Sequence, residues 1–211
     1  CIRDSAPSLP EPTTPRLGDG SGNVELLNVT FGYGDKPVLV DVTFHARPGT
    51  VTAIVGPSGS GKTTIARLIS RFWDVDSGAV MVDGVDIREL GTEQLMSRLS
   101  MVFQDVYLFD DSLIANIRVG RPDASDEEVF RAADLSGVTS IANRLGWHTP
   151  VGEGGRLLSG GERQRVSVAR ALLKQAPIVL FDEATSALDA ENEANILAAM
   201  DELRELSLIH I

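Results

Sequence analysis

Val51-Thr52-Ala53-Ile54-Val55-Gly56-Pro57-Ser58-Gly59-Ser60-Gly61-Lys62-Thr63-Thr64 is the stretch on which the reading of the whole chain turns. Residues 51–55 make a mostly apolar, β-prone run, and residues 62–71 carry a helical pattern. Between them Gly56, Gly59 and Gly61 allow consecutive backbone N–H groups to turn inward around an anion, an approach that Cβ atoms would block. Lys62 adds a point charge for terminal phosphates, Thr63 a hydroxyl for Mg²⁺, and the helix start its positive dipole end. The spacing predicts strand, phosphate loop and helix, with residues 56–64 as a nucleotide-binding segment.

A second stretch completes that chemistry. Residues 178–181 are four apolar residues in a row, predicted to be a buried strand, and Asp182 and Glu183 follow immediately. Ligands of open α/β sheets bind at the carboxyl ends of the strands, so both acids are delivered to the phosphate side. Asp182 is expected to hold Mg²⁺, and Glu183, one residue further, to polarise an attacking water.

The remaining residues frame these two. Residues 1–22 carry Pro7, Pro10, Pro12 and Pro15, then Gly18, Gly20 and Gly22, a composition that reads as a linker. Residues 24–31 and 38–44 are predicted to pair as antiparallel strands of an edge sheet. Asp83-Gly84 between 80–82 and 85–87 is a two-residue hairpin turn. Residues 92–99 are expected to be helical and 101–103 to form a strand. Ser125 and Glu128 make a capping-box pattern that starts a helix through residue 135, with more helix to residue 145. Strong helix formers occupy 162–174 and again 191–204.

Composition narrows the function classes. A length of 211 residues with 43% hydrophobic content supports one domain with two lobes rather than several domains. A formal charge of −11 is the wrong sign for binding phosphodiester backbones, so no nucleic-acid partner is expected. The single cysteine, Cys1, leaves no intramolecular disulfide and no cysteine metal cluster. No run of eighteen or more apolar residues is present.

Leu158-Ser159-Gly160-Gly161-Glu162-Arg163-Gln164 makes the reading specific. A serine followed by two glycines at a helix start is a second anion site, and the stretch resembles the signature of ABC (ATP-binding cassette) ATPases. The resemblance covers about residues 24–204. It implies an α/β fold, a P-loop NTPase with a mainly parallel core sheet, an N-terminal antiparallel β subdomain and a helical signature subdomain at about 105–160. The cofactors it implies are ATP and Mg²⁺. By the same resemblance, Tyr33 stacks on adenine and Gln104 reaches Mg²⁺ and senses a membrane domain. Ser159, Gly160, Gly161 and Glu162 would meet the γ-phosphate held by residues 56–64 of a second subunit. Ser186-Ala187-Leu188-Asp189 resembles the loop by which two subunits touch beside the active sites, with Asp189 at the nucleotide.

Further stretches resemble exporter-type members, whose membrane helices precede the ATPase domain on one chain. These are Leu108-Phe109 with Ile114-Ala115-Asn116-Ile117 after Gln104, and Thr149-Pro150-Val151-Gly152-Glu153 ahead of the signature. Glu153 would contact the membrane part. The resemblance therefore implies a transmembrane domain upstream of Cys1, a second nucleotide-binding domain as partner, and a place on the cytoplasmic face of the plasma (inner) membrane. The absence of an initiator methionine agrees with a fragment. The histidine that such proteins place after the strand following the last helix is expected beyond Ile211, with residues 207–211 as an atypical tail and His210 as incidental. Two alternatives stay open: a soluble ABC ATPase acting on DNA or the ribosome, and an ATP-binding module without turnover.

Overall fold

The computed structural model describes residues 9–103, 105–182 and 207–210. Two sheets carry the chain. Strands β1 (Val24–Phe31), β2 (Leu39–Ala46), β4 (Ser77–Val82) and β5 (Val85–Asp86) form an antiparallel sheet in the order β2-β1-β4-β5. Strands β3 (Val51–Ala53), β6 (Leu99–Val102), β7 (Ile178–Phe181) and β8 (Ser207–His210) form a parallel sheet in the order β3-β8-β7-β6. Six helices complete the described residues: α1 (Lys62–Ile69), α2 (Thr92–Arg98), α3 (Leu113–Arg118), α4 (Asp126–Leu135), α5 (Val138–Leu145) and α6 (Gly160–Lys174).

Local chemistry sets many boundaries. Asp83 and Gly84 both have positive φ, 52° and 74°, and Val82 pairs with Val85, the geometry that matches strand twist across a two-residue loop. The Ser125 side chain accepts from Glu128 N–H while the Glu128 carboxylate accepts from Ser125 N–H, so the expected capping box opens α4. A similar box joins Ser159 and Glu162 at the start of α6.

The parallel sheet has apolar side chains on both faces, and β7 shows the division. Ile178 and Leu180 join the core beneath β1, β4, α1 and α2, whereas Val179 and Phe181 join the core under α3, α4, α5 and α6. All four β7 side chains are buried. Each contributes about 1.5–3 kcal/mol through loss of hydrated apolar surface.

Two expectations about strands need correction. Residues 207–211 were expected to be an atypical tail, but Ser207–His210 is β8, hydrogen-bonded to β3 on one side and β7 on the other, with Ile209 fully buried. Four residues with a serine and a histidine carry little strand signal alone; the slot between two parallel strands decides their conformation. The apolar run 51–55, expected as one strand, is conversely shorter. β3 stops at Ala53, and Val51 and Val55 are 55% and 88% exposed. Among the described residues β3 pairs only with β8.

The described part of the expected linker is strapped to the surface. The Arg71 guanidinium donates to Pro10 O at 2.9 Å and to Asp74 Oδ1 at 3.0 Å. The Glu11 carboxylate accepts from Thr92 N–H and Thr92 Oγ1, capping α2 from 81 residues away. Further along, Arg16 pairs with Glu89 at 2.7 Å, and buried Asp83 accepts from Gly22 N–H and Arg98 Nε at 2.6 Å each. The Thr92 hydrogen bonds hold the Glu11 carboxyl below its ordinary 4.5. A depressed carboxyl contributes stability that is complete above its unfolded pKa and lost as pH falls through the folded value. Protection of the Thr92 amide, which donates to Glu11, and of the Arg16 amide, which donates to Glu89 O, is therefore expected to fall below about pH 4.5 in hydrogen exchange. Glu11→Gln should show the weakened protection already at pH 7; wild-type protection there would contradict this role.

Candidate functional site

The register of the parallel sheet assembles the site. Ala53 and Phe181 both pair with His210, and Val102 pairs with Phe181, so the carboxyl ends of β3, β8, β7 and β6 lie in one row. The glycine-rich loop, Asp182 and the segment entering Gln104 all leave from that row. Two of the expected site residues thereby meet although 119 positions separate them: Thr63 Oγ1 donates to Asp182 Oδ1 at 2.9 Å. Asp182 is only 7% exposed, and its N–H donates to Val102 O at 3.0 Å.

The loop itself is open. Residues 56–60 are exposed, and Gly61 ends the turn as N-cap of α1 at φ 93°. A Cβ at Gly61 would also lie 2.6 Å from Leu39 Cδ2, so β2 and the loop approach as closely as they do only because no side chain intervenes. Lys62 Nζ donates to Gly56 O at 3.1 Å and Pro57 O at 3.3 Å, which folds the lysine back over its own loop. Beside it lies a cavity of about 470 Å³ lined by Val38, Ser58, Gly59, Gly61, Lys62, Thr63 and Thr64. Tyr33 stands close by: its hydroxyl is 3.3 Å from Thr64 Oγ1 and its side chain is half-exposed. Tyr33, Lys62, Thr63, Thr64 and Asp182 thus form one constellation.

The Ser159 helix start is a separate place. Ser159 Oγ accepts from Glu162 N–H at 3.2 Å, and Ser159 N–H donates to Glu162 at 2.8 Å. Burial raises the Glu162 carboxyl, but the Ser159 N–H and the Arg144 guanidinium at 2.5 Å outweigh it and hold the group below its ordinary value. Ser159 and Gly160 are exposed at the first turn, where N–H groups lack intrahelical acceptors. Among the described residues no hydrogen bond joins this helix start to the 56–63 loop.

Two side chains that the sequence reading left unassigned tie α6 to the segment around position 104. Gln164 Nε2 donates to Phe103 O at 3.4 Å. Arg170 donates from Nη1 to Tyr107 O at 2.9 Å, and from Nε and Nη2 to Asn116 O and Oδ1 at 2.7 Å each. Burial pulls the Arg170 guanidinium down to about 10. No periodicity signals such a role, since an arginine on a mid-helix face ordinarily reads as solvated. Glu153 is exposed at a single 3-10 turn, Glu153–Gly155. That turn packs against the segment after position 104: a Cβ at Gly155 would sit 2.8 Å from Leu108 Cδ1. Gln104, Glu183 and Asp189, with the rest of residues 186–189 and the helix expected at 191–204, lie outside the described residues.

The family model described as ABC transporter matches residues 39–186, a span that contains the phosphate loop, the 158–164 stretch and Asp182. The chain belongs to the ABC transporter family. This ABC transporter domain is 47% identical over 208 residues, 97% of its length, to the beta-(1→2)glucan export ATP-binding/permease protein NdvA of Agrobacterium fabrum, covering 35% of that protein. It is 52% identical over 200 residues to the mycobactin import ATP-binding/permease protein IrtB of Mycolicibacterium thermoresistibile, covering 91% of this chain and 34% of that one. A solved bacterial Atm1-family ABC exporter with ATP bound superposes with a TM-score of 0.91 at 43% identity, over 96% of this chain and 36% of that one. The chain thus spans about a third of the length of these relatives. What they share with it is the ATP-binding part of an ABC protein. No described helix is long and apolar enough to cross a membrane.

Proposed function

We propose that this chain is the ATP-hydrolysing domain of an exporter-type ABC transporter and acts as one half of a nucleotide-sandwiched pair at the cytoplasmic face of a membrane. The observation that carries the reading is the Thr63–Asp182 contact at 2.9 Å beside the open loop and its cavity. A hydroxyl and a carboxylate are hard oxygen donors, and together with phosphate oxygens they fit Mg²⁺. Thr63 and Asp182, with Gln104 as a further oxygen donor, would hold that ion, which when bound neutralises charge on the β- and γ-phosphates.

This chain's own residues do the rest. Lys62 exchanges Gly56 O and Pro57 O for phosphate oxygens, and backbone N–H groups of residues 58–64 surround the triphosphate. Tyr33 offers its exposed ring to adenine. Glu183 polarises the attacking water. Ser159, Gly160, Gly161 and Glu162 of one domain close over the γ-phosphate on the other, with the Asp189 loops in contact. Loss of that phosphate opens the pair, and the adjoining 104–109 and Glu153 segments pass the motion to the membrane domain. Cargo and direction are set outside these residues, in agreement with relatives of similar identity named for export and for import.

Asp182→Asn tests the carrying observation by equilibrium binding. ATP affinity in Mg²⁺ should fall about tenfold or more while affinity in EDTA stays near wild type. Undiminished strengthening by Mg²⁺ in the variant would remove the basis of the assignment.

A further inference from the structure

We infer that Trp73 is a positioning residue for nucleotide binding: it holds the Tyr33 ring in a fixed orientation beside the phosphate site, so that the base meets a pre-set surface. The inference rests on the reading of Tyr33 as the ring that stacks on adenine, and adds a second residue to that subsite.

Tyr33 lies in the turn between β1 and β2 with its side chain 51% exposed. An aromatic on such a turn would sample several orientations, and a base stacking on it would bear the entropy of fixing one. Three contacts remove that freedom. Trp73 meets the ring at 5.1 Å between centroids and 84° between planes, and Phe31 meets it at 5.0 Å and 85°. Both are the edge-to-face arrangement that aromatic quadrupoles favour. The hydroxyl is held 3.3 Å from Thr64 Oγ1, on the helix that carries Lys62.

Trp73, 39% exposed, packs in turn against the buried Phe31 ring at 6.4 Å, which lets it serve as a brace. Arg71, with φ of 51°, ends the helical path after α1 and turns the chain so that Phe72 and Trp73 leave together. Phe72 contacts Trp73 at 6.3 Å and Phe103 at 6.2 Å. The same segment anchors the Tyr33 turn through its backbone: Gly32 N–H donates to Asp76 Oδ2 at 2.9 Å, and Asp76 N–H donates to Thr30 O at 3.0 Å. One segment therefore holds both the backbone and the ring of the turn.

The test compares ATP with inorganic tripolyphosphate, which carries the charge but no base, by equilibrium binding to the full-length protein. Trp73→Ala should weaken ATP roughly threefold to tenfold, the value of one aromatic pair, and leave tripolyphosphate binding unchanged. Trp73→Phe, which keeps a ring edge, should restore most of the loss. In a Tyr33→Ala background Trp73→Ala should add nothing further. Equal weakening of both ligands would show general damage to the phosphate site, and additive effects would show that Trp73 does not act through Tyr33; either overturns the proposal. If Tyr33→Ala weakens ATP while Trp73→Ala does not, the brace fails and the stacking assignment survives. If Tyr33→Ala leaves ATP affinity unchanged, the stacking assignment itself falls, and the brace with it.

Discussion

Lys62→Ala is expected to weaken ATP binding on the order of 100-fold while leaving the melting temperature almost unmoved. The reason is the asymmetry of what Lys62 does with and without ligand. Among the described residues its Nζ donates to Gly56 O and Pro57 O, both on exposed loop residues, and water can replace it there. Alanine is also the best helix former at the first position of α1. With nucleotide, the ammonium would make charge-assisted hydrogen bonds to terminal phosphates, worth about 1.5–3 kcal/mol each. Calorimetric titration with ATP, alongside a thermal melt of the same preparation, checks both halves. Loss of affinity accompanied by a large drop in melting temperature would mean that the lysine supports the loop rather than the ligand.

Glu183→Gln should separate binding from turnover. The amide keeps the shape of the carboxylate but cannot take a proton from the attacking water, a role worth about 10²–10⁴ in rate. Hydrolysis is expected to fall by that factor while ATP affinity changes by no more than about threefold. The protein should then accumulate in the ATP-bound paired state, seen as a nucleotide-dependent shift in sedimentation or gel filtration. Normal turnover by this variant would remove Glu183 from the role of base.

How far the sequence foretold this site depends on how local each signal is. The Asp83-Gly84 turn, the Ser125 capping box and the strand-loop-helix around residues 56–63 are specified within four to eight residues, and each was legible; Ser159 was read as a helix start, and its box with Glu162 came from the structure. The nearness of Thr63 and Asp182 was implied by assigning both to Mg²⁺ at the carboxyl ends of the strands, but their direct contact depends on three strand registers that no short window contains. β8 was missed for the same reason: Ser207–His210 becomes a strand because β3 and β7 leave a gap between them. Proline and glycine content marked residues 1–22 as a linker, but it could not show that Arg71, Thr92, Glu89, Asp83 and Arg98 bind the part from residue 10 onward. Composition reports what a segment cannot form; the side chains that hold it come from elsewhere in the chain.

Ser159 makes the same point at the level of function. Its helix start is exposed, and among the described residues no hydrogen bond joins it to the phosphate loop; in the proposed pair a second domain would complete it. A structure of the full-length Glu183→Gln protein loaded with ATP measures this most directly. The account predicts Ser159 Oγ of one protomer about 3 Å from the γ-phosphate gripped by residues 56–63 of its partner. A γ-phosphate approached by no serine of the partner, with the two Ser159 helices facing solvent, would contradict it.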